Sequence, residues 1–229
     1  TKRVYGFVEM TPEFVAQQID VVMEDIRPLA VKTGMLASAL VVETVADRMK
    51  HWGVTNLVVD PVMVAKGGDK LLLDSAVDAL KTRLLPLALV ITPNIPEAEV
   101  LVGRSLPTWE DIKDAARELH EYGVANVVIK GGHKHDESTA TDILYDGAGF
   151  RDFSVGWVQT KNTHGTGCTF ASAIAAMLAK GENVPTAIAG AKAFVTKALQ
   201  ESYPIGSGHG PVHHFYRYWK PLMKSGDVR

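Results

Sequence analysis

Cysteine is almost missing from this 229-residue chain. Cys168 stands alone, which excludes an internal disulfide and points to a reducing, cytoplasmic setting. Long hydrophobic runs are missing as well. No apolar stretch approaches the roughly 20 residues of a membrane-spanning helix, so no membrane partner is expected. Neither sign of charge dominates. With 24 Lys and Arg against 26 Asp and Glu, the formal net charge is -2, which gives no electrostatic case for nucleic acid. There is no internal repeat, which excludes solenoids and propellers. The eight histidines lack the spacing of a zinc site. His133 with His135, and His209 with His213 and His214, read as solvated loop residues.

What is present is an ordinary globular composition, 46% hydrophobic and 22% charged, long enough for one domain over 1–229 with a sizeable core. Thr11 followed by Pro12 is a helix start, and Phe14, Val15, Ile19 and Val22 form its apolar stripe. Further helices are predicted over 38–52, over 74–84 with Asp74 as cap, from Pro96, over 108–122, from Phe170 to Gly181, and over 185–201. Buried strands are predicted over 29–32, 56–59, 87–91 and 126–129, each stopping at a polar or glycine-rich break. Asp146-Gly147 marks a hairpin between 143–145 and 150–158. Residues 133–141 read as a polar flap and 220–229 as a loose tail. Continuous Val, Ile and Leu strands alternating with amphipathic helices imply an α/β fold. Its layers are α/β/α, around a mostly parallel central sheet.

The chain is organised around Asn162-Thr163-His164-Gly165-Thr166-Gly167-Cys168-Thr169. A glycine-rich turn there feeds a helix of small residues. Unpaired amides of the first turn and the helix dipole then favour an anion, and Gly165 and Gly167 let it come close. The stretch is not a Walker A loop, which needs Lys where Cys168 stands. Nor is it a dinucleotide fingerprint, which needs Gly where Phe170 stands. Glycines used for turn geometry alone are the commoner case. The company is what matters. Gly34, Asp60, Asn94 and Lys130 all fall at predicted strand ends, the edge where open α/β sheets bind ligands.

Lys161-Asn162-Thr163-His164-Gly165-Thr166-Gly167-Cys168-Thr169 resembles the anion-hole signature of the hydroxymethylpyrimidine/phosphomethylpyrimidine kinases, thiamin-pathway members of the ribokinase-like superfamily. Val31-Lys32-Thr33-Gly34-Met35-Leu36, Asp60-Pro61-Val62-Met63-Val64-Ala65-Lys66 and Thr92-Pro93-Asn94-Ile95-Pro96-Glu97-Ala98-Glu99 are similar to further family stretches. So are Lys130-Gly131-Gly132-His133 and Gly208-His209-Gly210-Pro211-Val212-His213-His214-Phe215, all in family order.

The resemblance implies a ribokinase-like, homodimeric kinase. It would use ATP and Mg²⁺ to phosphorylate 4-amino-5-hydroxymethyl-2-methylpyrimidine and then the monophosphate. It also implies roles for residues. Gly165, Thr166, Gly167 and Cys168 would form the anion hole, with Cys168 as base where the wider superfamily has Asp. Thr163, His164, Asp60, Lys130, Gly131 and Gly132 would serve the nucleotide. Gly34, Met35 and Val62 would line the pyrimidine. Asn94 and Glu97 match an Asn-x-x-Glu motif that organises magnesium through waters; without the family they read as an N-cap with a first-turn acid. Asp60 reads equally as a strand-ending turn, and Lys130 as a solvated lysine.

A thiol at a helix N-terminus is expected to fall below the usual pKa of about 8.5, toward thiolate. Pyridoxal kinase of the Cys-containing type is the alternative within this class, because pyridoxal also presents a hydroxymethyl on a planar nitrogen heterocycle. A non-catalytic pyrimidine-sensing module is the alternative outside it. The intact loop and the Asn94/Glu97 pair argue against that. In the family a strand and a Gly-Thr-Asp-x-Ser-Gly-Gly-Ala-Gly loop precede the position of Thr1, so the functional protein is expected to be longer.

Overall fold

Strands of the central sheet carry apolar residues on both faces, and the two faces feed different cores. Leu57, Val59, Ile91, Val127, Ile129 and Ile143 share one cluster, while Val58, Val90, Val128 and Leu144 share another. This odd–even division is the period of two of a pleated strand. The computed structural model describes residues 5–63, 74–132 and 138–219. In chain order the elements are α1 (Pro12–Asp25), β1 (Val31–Thr33), α2 (Ala39–His51), β2 (Leu57–Val59), α3 (Asp74–Ala79), β3 (Val90–Ile91) and α4 (Ile95–Val102). They continue as α5 (Trp109–Glu121), β4 (Asn126–Lys130), β5 (Thr139–Tyr145), β6 (Phe150–Gly156), α6 (Thr166–Ala179) and α7 (Val184–Gln200).

Among the described residues the sheet is six-stranded in simple sequence order, β1 to β6. Strands β1 to β4 run parallel, and β5 and β6 add an antiparallel pair at one edge. Helices α2 to α5 cover the first core, and α6 and α7 cover the second through Phe170, Ile174, Ala187 and Ala191. The expected three-layer α/β/α arrangement is therefore present. Among the described residues no helix is long and apolar enough to cross a membrane.

Several boundaries differ from the sequence expectation, each for a local reason. The strand expected over 87–91 is only Val90–Ile91, because a π turn (Leu80–Leu84) and a 3-10 turn (Leu85–Leu87) containing Pro86 use up the apolar run before it. Asp74 is the first helical residue of α3 rather than its cap. Helix α6 begins at Thr166, so Gly167 and Cys168 already lie in its first turn. Strand β5 starts at Thr139, which takes the end of the expected flap into the sheet; residues 133–137 and the tail 220–229 lie outside the described residues. The hairpin turn is held by Asp146, whose Oδ1 accepts the amides of Ala148 (3.0 Å) and Gly149 (2.9 Å).

One buried ion pair ties the last helix to the sheet. Lys192 of α7 donates to Asp142 Oδ2 of β5 at 2.7 Å, and both residues are buried. Removing one partner strands a charge, which typically costs about 3–5 kcal/mol, whereas replacing both by apolar groups is often neutral. Lys192→Met should therefore lower unfolding stability by roughly that amount in urea titration. The double variant Lys192→Met with Asp142→Leu should recover most of the loss, and equal instability of single and double variants would contradict this account.

Candidate active site

The parallel strands deliver their carboxyl ends to one edge, and Asp60 sits at its centre. Its amide donates to Thr33 O at 3.0 Å, continuing the β1–β2 pairing for one residue beyond β2. Its side chain is only 2% exposed, and a carboxylate so buried must be compensated. Lys130, the last residue of β4, donates to Asp60 Oδ1 at 3.2 Å, and Thr92 Oγ1 donates to the same oxygen at 3.4 Å. Lys32 of β1 brings its ammonium to 3.8 Å from Oδ2. Lys130 Nζ also lies 4.0 Å from Glu97 Oε2. Two lysines thus flank one carboxylate, and a second carboxylate shares one of them.

Asn94 and Glu97 form a capping box at the start of α4. Glu97 N–H donates to Asn94 Oδ1 and Asn94 N–H donates to Glu97 Oε2, each at 2.8 Å. The helix-start reading of this pair is therefore correct as geometry. It does not explain why Glu97 is buried. Burial pushes the Glu97 carboxyl above its ordinary range, opposed by the Lys130 ammonium and the Asn94 amide and reinforced by Asp60.

The first turn of α6 closes over this cluster. Gly165 is its N-cap with φ of 83°, a left-handed conformation that favours glycine, and no side chain caps the helix. Thr166 Oγ1 donates to Thr163 O at 2.7 Å and so pins the turn to its own loop. The first helical bond runs from Thr169 N–H to Gly165 O at 2.9 Å, which leaves the amides of Gly167 and Cys168 ahead of it. A Cβ at Gly167 would stand 3.2 Å from Lys130 Nζ, so the ammonium lies directly against the turn.

Cys168 is exposed, with its thiol turned toward Asp60. The expectation of a lowered pKa is corrected here. Partial burial of the thiol pushes it up, the nearby Asp60 charge pushes the same way, and Lys32 and Lys130 oppose them. Burial comes first among these causes, and the carboxylate adds to it.

The other expected site residues divide clearly. Gly34 adjoins Lys32, whose Nζ would be 2.6 Å from a Cβ there. Met35 is 39% exposed at the same edge, and Val62 is half-buried just beyond Asp60. Gly131 answers to packing: a Cβ would meet Thr141 O at 2.3 Å and Trp109 at 3.2 Å. Gly132 has open space around it. The exposed His164 pairs through its backbone with the 210–212 segment, its amide donating to Gly210 O at 2.9 Å. Among the described residues no group of three His, Cys, Asp or Glu is gathered for a metal; His133 and His135 lie outside them.

Sequence reasoning gave Lys32 and the strap 209–214 no role of their own, although both lie in stretches that carry the family resemblance. Lysine in a short apolar strand immediately before Thr33-Gly34 was the available signal for the first. The strap's role needed tertiary contacts: His214 Nε2 lies 2.8 Å from Thr169 Oγ1, and a Cβ at Gly210 would collide with Asn162 Oδ1 at 2.2 Å.

A parallel α/β sheet whose carboxyl edge joins a lysine–carboxylate cluster to an uncapped, glycine-led helix defines a kinase of the ribokinase-like class. Comparison with known proteins carries the assignment further. The phosphomethylpyrimidine kinase family profile matches residues 1–213, and the chain belongs to that family. It is 47% identical over 215 residues to the hydroxymethylpyrimidine/phosphomethylpyrimidine kinase of Bacillus subtilis, covering 94% of this chain and 79% of that protein. It is 50% identical over 229 residues to the thiamine biosynthesis bifunctional protein ThiED of Geobacter sulfurreducens, covering 100% of this chain and 45% of that longer protein. Among solved structures, an ADP complex of Bacillus subtilis pyridoxal kinase superposes with a TM-score of 0.84 at 40% identity, covering 90% of this chain and 78% of that one.

The raised pKa of Glu97 has a stability consequence in the ligand-free protein. A carboxyl that holds its proton more tightly when folded stabilises the fold at low pH. That contribution is lost as pH rises from the ordinary value of 4.5 toward the folded value. Glu97→Gln keeps an acceptor for the Asn94 amide and removes the charge. Its melting temperature should therefore gain on the wild type progressively above pH 4.5. A difference that is flat with pH, or that shrinks, would refute this.

Proposed function

We propose that the chain is an ATP-dependent kinase of 4-amino-5-hydroxymethyl-2-methylpyrimidine and of its monophosphate, serving thiamin biosynthesis in the cytoplasm as a homodimer. The observation that carries this reading is the Lys130–Asp60–Glu97 cluster set against the open first turn of α6, in a chain of this family. Phosphoryl transfer passes through a loose transition state and depends on positioning and charge neutralisation. The amides of Gly167 and Cys168, with Gly165 and Thr166 shaping the turn, would hold the transferring group. Lys130 would neutralise it. Thr163, His164, Asp60, Gly131 and Gly132 complete the proposed nucleotide side, Gly131 by letting β4 and β5 close up beneath Lys130. Gly34, Met35 and Val62 form the proposed pyrimidine side.

The donor set fits a hard divalent cation. Asp60 Oδ2 is buried without a hydrogen-bond donor among the described residues, and Glu97 shares Lys130 with the Asp60 carboxylate. Glu97 and Asp60 would hold Mg²⁺ through waters, and the ion would offset phosphate charge. Asn94 spends its Oδ1 on the Glu97 amide, so its share is to fix where Glu97 points. Cys168 is assigned as the group that takes the hydroxyl proton. Asp60 makes its thiolate scarcer but more basic, a trade that suits a general base working on an alcohol.

A second reading, pyridoxal kinase, is favoured by the likeness to the Bacillus subtilis structure of that name. A coupled assay of ADP formation separates the readings. The pyrimidine alcohol should show much the higher kcat/KM, a reversed preference would assign pyridoxal, and binding without turnover would assign a sensor. Within the assay, Cys168→Ala should lower kcat by roughly 10²–10⁴ while ATP-analogue affinity changes little. Wild-type kcat in that variant would reduce the thiol to a packing residue.

A further inference from the structure

Lys32 is the charged member of a three-residue strand, and its surroundings give it more to do than neutralise Asp60. Val31 packs into the core beneath α2, so the pleat turns Lys32 to the opposite face, toward α6. There its ammonium stands 3.8 Å from Asp60 Oδ2, with the side chain 19% exposed. Oδ2 accepts no hydrogen bond among the described residues, so the three N–H donors of Lys32 are not spent on it. Lys130 differs: it donates to Oδ1 and also approaches Glu97 and Gly167. The two ammoniums therefore sit on opposite oxygens of one carboxylate. Lys130 is on the side of α4 and the helix amides, where the nucleotide phosphates would lie. Lys32 is over Gly34, on the proposed acceptor side.

We propose that Lys32 is the residue that admits a phosphorylated acceptor: it binds the phosphate of the pyrimidine monophosphate during the second transfer. This rests on the function proposed above and specifies how one site serves two acceptors. In the first transfer the acceptor is a neutral alcohol, which must lose a proton and brings no charge. In the second, a non-bridging oxygen of the acceptor's phosphate attacks the γ-phosphorus of ATP. The bond from that phosphorus to the β–γ bridging oxygen breaks, its electron pair leaves with ADP, and the product is the diphosphate ester. A phosphomonoester has a second pKa near 6 and is mostly dianionic at neutral pH, so it needs no base. What it needs is a cation against the repulsion between the two phosphates. Lys32 supplies that cation where Lys130 is already engaged with the donor.

The test uses the complete protein and compares Lys32→Met and Lys32→Arg with wild type. Initial rates are measured with the alcohol and, separately, with the monophosphate, together with calorimetric titration of the monophosphate without nucleotide. In Lys32→Met the ratio of kcat/KM for the monophosphate to that for the alcohol should fall roughly 10- to 100-fold, the usual worth of a charge-assisted hydrogen bond. Affinity for the monophosphate should fall with it, and Arg should restore most of both. Parallel losses on the two acceptors would overturn the proposal and leave Lys32 as a brace for Asp60. If wild type turns over neither acceptor, the functional reading fails instead, and the calorimetry still decides: monophosphate binding that is absent in wild type or unchanged in Lys32→Met overturns the proposal. Should Lys32→Met not fold, Lys32→Gln is read in the same way.

Discussion

The site depends on one buried carboxylate. Asp60 lies at the end of β2 with almost no solvent contact, and an isolated charge there would be prohibitive. Its presence obliges Lys32 of the adjacent β1 and Lys130 of β4, two strands away, to point inward rather than into water. Lys130 in turn meets Glu97 and the α6 turn, so one anion fixes the position of both ammoniums at this edge among the described residues. Burial lifts the Cys168 thiol, and the same anion adds to that lift. Asp60 is thus a local template whose charge sets the electrostatics of the edge before any ligand arrives. Buried ion pairs are poor stabilisers, and this one is better understood as preorganisation.

Much of this was legible in the sequence, because the signals were local. Thr11, Asn94 and Thr108 cap their helices as their positions imply. Strand ends at Asp60, Asn94 and Lys130 followed from apolar runs that stop at polar breaks. The boundary at 87–91 was not legible, since Leu85, Leu87 and Leu89 suit a strand or a turn of helix equally until the position of Pro86 in space is known. Nor was the sign of the Cys168 shift. Sequence shows the helix N-terminus beside it but neither the burial of the thiol nor Asp60, which only the fold brings to it.

The strap 209–214 teaches a similar lesson. Gly210 reads as a loop glycine, yet it is required by the side chain of Asn162, and His214 reads as one of several histidines, yet it meets Thr169 at the start of the α6 ladder. These contacts tie the glycine-led turn and the start of α6 to the strap. Their logic is invisible to spacing because both partners come from distant parts of the chain.

The order of the strands has a consequence for how activity is acquired. Since β1 to β4 are laid down in sequence beside one another, the lysine–carboxylate cluster assembles from neighbouring, successive units. The α6 turn is different: it follows the antiparallel pair at the far edge and must return across the sheet to pack over β1 and β2. Closing so long a loop is the entropically expensive step of folding. A chain still emerging from the ribosome would therefore own its charged edge before the α6 turn that packs over it.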